Sequence, residues 1–293
     1  MSVVEAVEAE YRAAHEGCAV FDASAREQLR VTGSEAGSFL QGMVTNDVEG
    51  LAVGGSCYAA MLTPKGAMVG DLRVLRREGD YLLDTGPGRG AAVKDFLNKY
   101  LISEDAELHD APEYAVLGLV GPRAKELAAK VPAEGALGSF LGGVDLLVRR
   151  ERLGEAKAAL AGVPELSAAT LEVLRVEAGV PVFGVDMTET TIPLEANLDN
   201  AIHYKKGCYI GQEVIARATF RGQMNKKLVK LLVGEASPAP KAELKVGDRK
   251  VGWVTSVVKS VQHGQQLALA YVHRDFLSPG TKLELGGATA TLL

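Results

Sequence analysis

The amino-terminal part of the chain alternates short apolar runs with amphipathic segments, which predicts closely spaced strands and helices. Residues 27–33 alternate polar and apolar side chains, as a half-buried strand does. A helical spacing of apolar residues follows, and Thr32 stands three residues before Glu35, which is the spacing of a capping box. By the same criteria we predict strands at 56–62, at 68–86 (two strands turning at 77–80), at 113–121 and at 143–150, and helices at 88–102, 122–131, 151–163 and 167–179.

The carboxyl-terminal part has a different pattern, which begins after a stretch with two prolines at 234–248. Its short apolar runs are separated by Gly, Pro and Asp and lie at 249–258, 265–272, 281–286 and 288–293. Short strands at this spacing are typical of a small β-barrel or sandwich. The chain is therefore predicted to be α+β, with a mixed body at 1–220 and a β-domain at 221–293.

Length and charge narrow the class of protein. With 293 residues, 47% of them hydrophobic, the chain is long enough for about two globular domains. The net charge is −5, although residues 221–293 are net basic. A basic surface can attract nucleic acid, but no aromatic residues accompany this charge as a stripe. A solvated barrel surface is the preferred interpretation, and no direct nucleic-acid partner is expected.

Targeting, membrane and metal-site signals are not found in the sequence. The first residues contain acids where a secretory signal has bases, and no run approaches about 18 uninterrupted apolar residues. We expect a soluble, cytoplasmic protein without a membrane partner. The three cysteines, Cys18, Cys57 and Cys208, are too few and too far apart for a disulfide framework or a zinc site. An iron–sulfur cluster usually takes about four cysteine ligands, so no metal site is predicted within the chain.

Two familiar catalytic patterns are incomplete. Residues 84–91 (DTGPGRGA) follow a predicted strand and precede a helix, as a dinucleotide fingerprint would. Their glycine spacing fits only a loosened form, and Pro87 stiffens the turn, so a turn leading into a helix is the simpler interpretation. The five histidines are scattered and no GxSxG elbow occurs, so Ser-His-Asp chemistry is not indicated.

Glu177 ends an amphipathic helix among apolar residues, two positions before a glycine. A carboxylate partly shielded from water requires hydrogen-bond donors. An aminopyrimidinone ring offers two parallel N–H groups that a carboxylate can accept. The alternative is an ion pair with Arg175 or Arg217, and the residues alone leave both interpretations open.

Cys208 lies in the polar segment 203–217 (HYKKGCYIGQEVIAR), after two lysines and between two glycines. Nearby ammonium groups of Lys205 and Lys206 would favour the thiolate, and the glycines would let the backbone approach whatever the sulfur contacts. This arrangement favours an accessible thiol that acts as a nucleophile or as a soft metal ligand. The alternative is a buried cysteine kept for packing, the commoner role of a free cysteine.

The octapeptide KGCYIGQE at 206–213 resembles the signature of the YgfZ family of folate-binding proteins, relatives of the glycine cleavage T-protein. Further resembling segments follow in order: VFDASAREQLRVTG, FLQGMVTNDV, YAAMLTPKGAMVGDLRV, VLGLVGP, RVEAGVPVFGVD, IPLEANLDNAI and GWVTS. The resemblance covers nearly the whole chain. It implies a T-protein-like fold, with a tetrahydrofolate-binding body of two α+β subdomains and a C-terminal β-barrel.

The resemblance also implies roles for single residues. Glu177 in RVEAG matches the glutamate with which T-proteins hold the pterin, which makes folate binding its favoured role. Asp71 in GDLRV falls on the aspartate of the T-protein DDL segment that faces the reactive folate nitrogens. The predicted reactive residues are Cys208 and Asp71, and the predicted folate-binding residues are Glu177, Lys206, Gly207, Tyr209, Gly211, Gln212 and Glu213.

Departures from the aminomethyltransferase pattern separate two functions. Aminomethyltransferases typically carry KGDFIGRE, so Cys208 replaces an aspartate and Gln212 an arginine, while Gly70 replaces the first acid of DDL. These changes weaken the case for methylene transfer. Proteins with the cysteine form resemble factors that assist iron–sulfur cluster assembly or repair in a folate-dependent way, with an indirect effect on tRNA modification.

The resemblance therefore implies a cytoplasmic, tetrahydrofolate-binding accessory protein of iron–sulfur metabolism, with Cys208 as its reactive or transiently ligating thiol. Its expected cofactor is tetrahydrofolate or a one-carbon derivative. Its expected protein partners are iron–sulfur assembly proteins or cluster-containing client enzymes. The alternative is a folate-dependent aminomethyltransferase that acts on a lipoyl protein or a small methylamine.

Overall fold

The computed structural model describes residues 2–222 and 224–293, with the main chain only at Arg221. The helices of these ranges are α1 (Val3–Glu16), α2 (Ala36–Met43), α3 (Gly90–Asn98), α4 (Ala124–Ala128), α5 (Leu153–Ala158), α6 (Ala168–Ala178) and α7 (Gln212–Arg221). Short 3₁₀ turns lie at Arg150–Arg152, Pro193–Ala196, Asp199–Ala201 and Arg274–Phe276. Within the described ranges, none of these helices is both long enough and apolar enough to cross a bilayer.

The strands follow the same chain order and are mostly short. They are β1 (Ala19–Asp22), β2 (Glu27–Thr32), β3 (Ser56–Leu62), β4 (Met68–Arg76), β5 (Asp80–Thr85), β6 (Glu107–Asp110), β7 (Tyr114–Val120), β8 (Gly135–Gly138), β9 (Val144–Arg149), β10 (Lys226–Gly234), β11 (Glu243–Val246), β12 (Arg249–Lys259), β13 (Gln266–His273), β14 (Lys282–Leu285) and β15 (Ala288–Leu292). The turn predicted at 77–80 joins β4 to β5.

The chain folds into two compact units. Unit 1 comprises Met1–Ser167 and Asn200–Gln212, and unit 2 comprises Ala168–Asp199 and Glu213–Leu293. These units divide the chain at positions other than residue 220. The predicted domain boundary at 220 stays a prediction.

Unit 1 contains two antiparallel sheets. Five strands form the order β3-β4-β5-β2-β6, and four strands form the order β1-β7-β9-β8. Apolar side chains of α2 and α3, including Leu40 and Leu97, share a buried cluster with Leu72 of the five-stranded sheet. A second cluster joins the two sheets through Leu75 and Leu147. In the five-stranded sheet, β3 is an edge strand and β4 is its neighbour.

The segment 200–212 returns to unit 1 through hydrogen bonds to the turn after α2. The Thr45 hydroxyl donates to the carbonyl of Ala201 at 2.6 Å, and the main-chain N–H of His203 donates to the carbonyl of Thr45 at 3.0 Å. The Asn46 amide donates to the carbonyl of Asn200 at 3.2 Å. These contacts hold the segment that contains Cys208 beside β3, the edge strand of the five-stranded sheet.

One local prediction in unit 1 is wrong. Helix α2 begins at Ala36, and no side chain caps its amino terminus through a hydrogen bond. Thr32 is still the last residue of β2, so it cannot serve as a helix cap. The Glu35 carboxylate instead accepts from the main-chain N–H of Asp105 at 2.6 Å, so a tertiary contact takes the place of the predicted capping box.

Unit 2 contains a closed barrel of six strands in the order β10-β13-β12-β11-β14-β15. Buried Leu, Val and Ala side chains fill it, and α6 packs against β12 and β13. The predicted α+β class and the carboxyl-terminal barrel are confirmed. Strand β10 was not predicted because lysines interrupt its apolar pattern, although Leu231 and Val233 are buried in the barrel core.

Candidate functional site

The predicted site residues are divided between the two units. Asp71 and Cys208 lie in unit 1, and Glu177 lies in unit 2. Of the octapeptide, residues 206–212 belong to unit 1, and Glu213, which is exposed in the first turn of α7, belongs to unit 2. The geometry of each unit is therefore given on its own.

Asp71 lies in β4, opposite Ala60 of β3. The Tyr58 hydroxyl donates a hydrogen bond to its Oδ2 at 2.9 Å. Part of the residue reaches solvent, but dense packing desolvates the carboxyl group and raises its pKa above the ordinary value. The Tyr58 hydrogen bond and the positive charge of Arg26 oppose this shift in pKa. A carboxylate with a raised pKa is a stronger base, which suits it to proton transfer.

An aromatic pair stands next to this carboxyl group. The Tyr58 ring packs edge-on against Phe140, with ring centroids 4.8 Å apart and an interplanar angle of 81°. The guanidinium carbon atoms of Arg73 and Arg26 lie 5.1 Å and 6.0 Å from the centre of the Phe140 ring. Burial and the neighbouring Asp71 carboxylate raise the pKa of Tyr58 well above its ordinary value. Its hydroxyl therefore stays protonated and acts as a donor to Asp71.

Two buried aspartates hold these arginines. Asp84 Oδ2 accepts from Nε of Arg26 at 2.7 Å and from Nε of Arg73 at 2.9 Å. Asp84 Oδ1 accepts from the Gln28 amide at 2.9 Å, and Asp145 forms a second, very short ion pair with Arg73. Arg73 is only 1% exposed and Asp84 is 0% exposed, so these charges stabilise the fold only while all partners are present.

The sequence contained a signal for part of this network that the prediction missed. The turn at 77–80 sets the register of the β4–β5 hairpin, and this register places Arg73 opposite Asp84. Gln28 of β2 stands opposite Asp84 on its other side. Polar side chains at directly opposed positions on three neighbouring strands indicate a cross-strand network. Phe140 had no such signal, because it lies on the loop between β8 and β9 of the other sheet.

The three cysteines differ in accessibility. Cys18 is buried, Cys57 is half-buried and Cys208 is exposed. Burial raises the pKa of the Cys57 thiol to about 11 and also raises the pKa of Cys18. The predicted exposure of Cys208 is confirmed, and its reactivity stays a prediction. No group of three or more His, Cys, Asp or Glu residues in the described ranges is arranged to hold a metal ion.

Lys206 anchors the loop that carries Cys208. Its ammonium group donates to three main-chain carbonyl oxygens, those of Gln41 at 2.5 Å, Val44 at 2.7 Å and Asn46 at 2.8 Å. Burial lowers the pKa of Lys206 to about 8, so the side chain is mostly protonated at neutral pH. Its predicted roles toward folate and toward the Cys208 thiolate stay predictions.

The other octapeptide residues of unit 1 shape the same loop. A Cβ atom on Gly207 would meet nothing within 4 Å, whereas a Cβ atom on Gly211 would lie 2.7 Å from the carbonyl oxygen of Thr63. Gly211 also has a φ of +82°, which favours glycine. The side-chain oxygen of Gln212 accepts from the main-chain N–H of Tyr209 at 3.2 Å. Gly211 is therefore required by backbone conformation and close packing.

Glu177 lies in the last turn of α6 and is 7% exposed. Its Oε1 accepts from the hydroxyl of Ser260 at 2.6 Å and from the main-chain N–H of Gln262 at 3.0 Å. Both of these side-chain hydrogen bonds to described residues end on Oε1. The buried Glu177 carboxylate therefore has two hydrogen-bond donors within unit 2.

The alternative of an ion pair between Glu177 and Arg175 is not observed. Arg175 pairs with Glu172 at 2.5 Å and with Asp186 at 2.7 Å. Asp186 also accepts from the hydroxyl of Ser256 at 2.8 Å. The Arg175 guanidinium therefore links α6 to the barrel strand β12 within unit 2 and leaves the Glu177 carboxylate to other donors.

The fold of the chain resembles that of known proteins. Residues 1–138 match the GCVT N-terminal domain, and residues 226–290 match the glycine cleavage T-protein C-terminal barrel domain. The crystal structure of the glycine cleavage system aminomethyltransferase T from Bartonella henselae superposes with a TM-score of 0.85. It covers 98% of this chain and 88% of that protein, at 21% sequence identity. The chain has a T-protein-like fold.

Two curated relatives of this T-protein-like chain are each named aminomethyltransferase. The chain is 27% identical to the aminomethyltransferase of Listeria monocytogenes serotype 4a, over 96% of this chain and 85% of that protein. It is 29% identical to the aminomethyltransferase of Rubrobacter xylanophilus, over 91% of this chain and 79% of that protein.

Proposed function

We propose that this T-protein-like chain binds a reduced folate and acts as an accessory protein in the assembly or repair of iron–sulfur clusters. The observation that supports this function best is the exposed thiol of Cys208, on a loop where aminomethyltransferases typically carry an aspartate. A thiolate is a soft ligand that suits iron–sulfur chemistry, whereas a carboxylate is a hard one. The octapeptide KGCYIGQE, which resembles the YgfZ signature, supports the same assignment.

One exposed thiol limits what the chain does alone. Iron–sulfur clusters usually take about four cysteine ligands, and the other two cysteines are buried or half-buried. In this proposal Cys208 acts as a transient ligand or nucleophile, and an assembly protein or a client enzyme supplies the remaining ligands. Altered tRNA modification would then follow indirectly, from loss of a cluster-containing enzyme.

The T-protein-like fold and the residues of both units support a reduced folate as the cofactor. In unit 2, Oε2 of Glu177 suits the N–H groups at the edge of a pterin. In unit 1, the carboxyl group of Asp71 and the hydroxyl of Tyr58 lie next to an aromatic ring. The folate would supply amine nitrogens that carry one-carbon units.

A second candidate function is folate-dependent aminomethyl transfer on a lipoyl protein or a small methylamine. The names of the relatives favour it, and so does the raised pKa of Asp71, since a stronger base helps to move a proton to or from a folate nitrogen. The absence of the typical aspartate and arginine from the octapeptide counts against it.

Two variants separate the two functions. Wild type, Cys208→Ser and Asp71→Asn are purified and incubated anaerobically with tetrahydrofolate and an S-aminomethyl dihydrolipoyl donor, whose carbon already has the oxidation level of the methylene group. Methylenetetrahydrofolate and the ammonia released with it are measured. In parallel, Cys208→Ser and Asp71→Asn are tested for support of cluster enzymes in cells that lack the native protein. The accessory function predicts no product at an ordinary enzymatic rate and loss of support with Cys208→Ser. Product formation that depends on Asp71 and persists in Cys208→Ser would establish the transferase instead.

Folate binding is tested at Glu177. Glu177→Gln exchanges one acceptor oxygen for a donor, so we expect the affinity for tetrahydrofolate to fall about tenfold or more by calorimetry. Glu172→Gln is the matched control, because Glu172 lies on the same helix, is 45% exposed and pairs with Arg175. Equal affinities of Glu177→Gln and the control would remove Glu177 from the binding site.

A further inference from the structure

The loop that carries Cys208 closes the carboxyl end of α2. An α-helix leaves its last four carbonyl groups without partners inside the helix, which in α2 are those of residues 41–44, because the main-chain N–H of Val44 donates to the carbonyl of Leu40. The carbonyl of Gln41 accepts from Nζ of Lys206 at 2.5 Å, and the carbonyl of Gly42 accepts from the main-chain N–H of Ile210 at 3.1 Å. The carbonyl of Val44 also accepts from Nζ of Lys206, at 2.7 Å. Three of the four carbonyl groups are therefore capped by two residues four positions apart on one loop, and Cys208 stands midway between these residues in the sequence.

The Lys206 site matches a primary ammonium group. An ammonium has three N–H donors, and three carbonyl oxygens lie within 2.8 Å of Nζ. The carboxyl end of a helix also carries a partial negative charge, which favours a cation. Burial lowers the pKa of Lys206 to about 8, so the ammonium form is still dominant at pH 7.

The charged and titratable groups around Lys206 are consistent with this role. Asp47 and Glu49, in the turn after α2, favour the positive charge of Lys206, as would a Cys57 thiolate on β3. The Tyr209 ring centre lies 5.1 Å from Nζ. The ammonium group is therefore enclosed by acceptors and an aromatic ring on several sides.

The neighbouring lysine provides the contrast. Lys205 is exposed, whereas Lys206 is half-buried and directed at the helix end. The two side chains have the same charge and adjacent positions in the chain. A general electrostatic effect on Cys208 would involve both lysines, but an anchoring effect involves Lys206 alone.

We propose that Lys206 is the positioning residue of Cys208: it is the tethered cation of a three-carbonyl site at the end of α2, and it sets the conformation of the loop at 207–209. Lys205 does not contribute to this conformation. The importance of the loop for the cell rests on the proposed function of Cys208, but the conformation is measured on the purified protein. Failure of one proposal is therefore distinguishable from failure of the other.

The test is amide hydrogen exchange at Ile210, whose main-chain N–H donates to Gly42 only while the loop is docked on α2. Exchange is measured at pH 7 on the full chain, for wild type, Lys206→Ala and Lys205→Ala. We expect exchange at Ile210 to accelerate about tenfold or more in Lys206→Ala, because hydrogen bonds to a charged group are lost. Exchange in Lys205→Ala should match wild type.

Chemical rescue distinguishes the cation site from general destabilisation. n-Propylammonium supplies the three carbons and the ammonium group that Lys206→Ala removes, so it should restore slow exchange at Ile210. Tetramethylammonium has the same charge but no N–H donor, and it should not. Lys206→Met keeps the apolar stem in place, so it should show fast exchange that n-propylammonium does not reverse; it also decides the test if Lys206→Ala fails to fold.

Three results would overturn the proposal. The first is exchange at Ile210 in Lys206→Ala or Lys206→Met that stays at the wild-type rate. The second is an equal acceleration in Lys205→Ala. The third is an equal response of Lys206→Ala to the two ammonium ions, which would leave Lys206 a merely structural residue.

Discussion

The two candidate reactive groups of unit 1 are held in contrasting ways. Asp71 lies in a strand inside a sheet, beside a buried network in which Arg73 and Asp84 are almost fully enclosed. Cys208 lies on an exposed loop whose position depends on contacts at Lys206 and Ile210. The carboxyl group is thus built into the folding core, and the thiol is attached to its surface.

This contrast predicts that changes near the two groups have different effects on stability. Changes around Asp71 disturb charges in a medium of low dielectric constant, where each unpaired group costs several kcal/mol. Changes in the Cys208 loop remove contacts at the surface, where the expected stability effects are small. The four predictions that follow test this contrast, and the expected effects on unfolding free energy fall from the first to the last.

The largest effect is expected for Arg73→Met. This change leaves the buried carboxylates of Asp84 and Asp145 without their shared partner, so unfolding free energy should fall by about 3–5 kcal/mol. Urea unfolding of the full chain measures this loss of free energy, with hydrogen exchange of the β4 amides as the probe. The control is Lys94→Met, which breaks a surface pair with Asp110 and should cost about 1 kcal/mol or less. A loss as small as the control would contradict the buried-network interpretation.

The next effect has the opposite sign. Burial raises the pKa of Asp71, so the folded state favours the protonated carboxyl. The resulting stabilisation is complete below the ordinary Asp pKa and is lost as the pH rises through the raised value. At pH 7 the ionised carboxylate therefore costs stability, and Asp71→Asn should be more stable than wild type by about 1 kcal/mol. The advantage should disappear near pH 4.

Calorimetric melting at the two pH values measures this difference. Asp95→Asn is the control, because Asp95 is exposed on α3 and its replacement should leave the melting temperature nearly unchanged. A loss of stability in Asp71→Asn at pH 7 would show that the ionised form of Asp71, with its Tyr58 hydrogen bond, outweighs the cost of burial.

The alkylation rates of the cysteines test the accessibility of Cys208. At pH 8, iodoacetamide should label the exposed Cys208 at least about tenfold faster than Cys57, because only the thiolate reacts and burial raises the pKa of Cys57 to about 11. Peptide mapping by mass spectrometry assigns the label. Labelling in denaturant is the control and should make the rates of the two thiols similar. A Cys208 that reacts only after denaturation would refute its display on the surface.

The smallest effect is expected for Cys208→Ser, which should change the unfolding free energy by less than about 0.5 kcal/mol. Cys18→Ser is the matched control, because Cys18 is buried and a hydroxyl in its place should cost about 1–3 kcal/mol. Urea unfolding of both variants gives the comparison. If the two variants lost equal stability, the Cys208 loop would belong to the folding core as much as the buried segment at Cys18 does.

The local pattern of the sequence was enough to predict most of the fold. Alternation and helical spacing identified the strands β2 to β5, the helix α3 and the barrel strands β12 to β15, because these patterns report which face of an element is apolar. The turn at 77–80 determined the hairpin register that pairs Arg73 with Asp84, even though that pairing was overlooked. The exposure of Cys208 followed from the polar residues around it.

Contacts between distant segments were decided only by the tertiary structure. The charge and length of Lys206 are visible in the sequence, but the carbonyl groups that it binds lie about 160 residues earlier, at the end of another element. The aromatic contact between Phe140 and Tyr58 likewise joins a loop of one sheet to a strand of the other. Main-chain carbonyl groups are the same at every residue, so no sequence pattern marks the ones a lysine will meet. Only the folded chain brings Lys206 to the end of α2 and so determines where Cys208 stands.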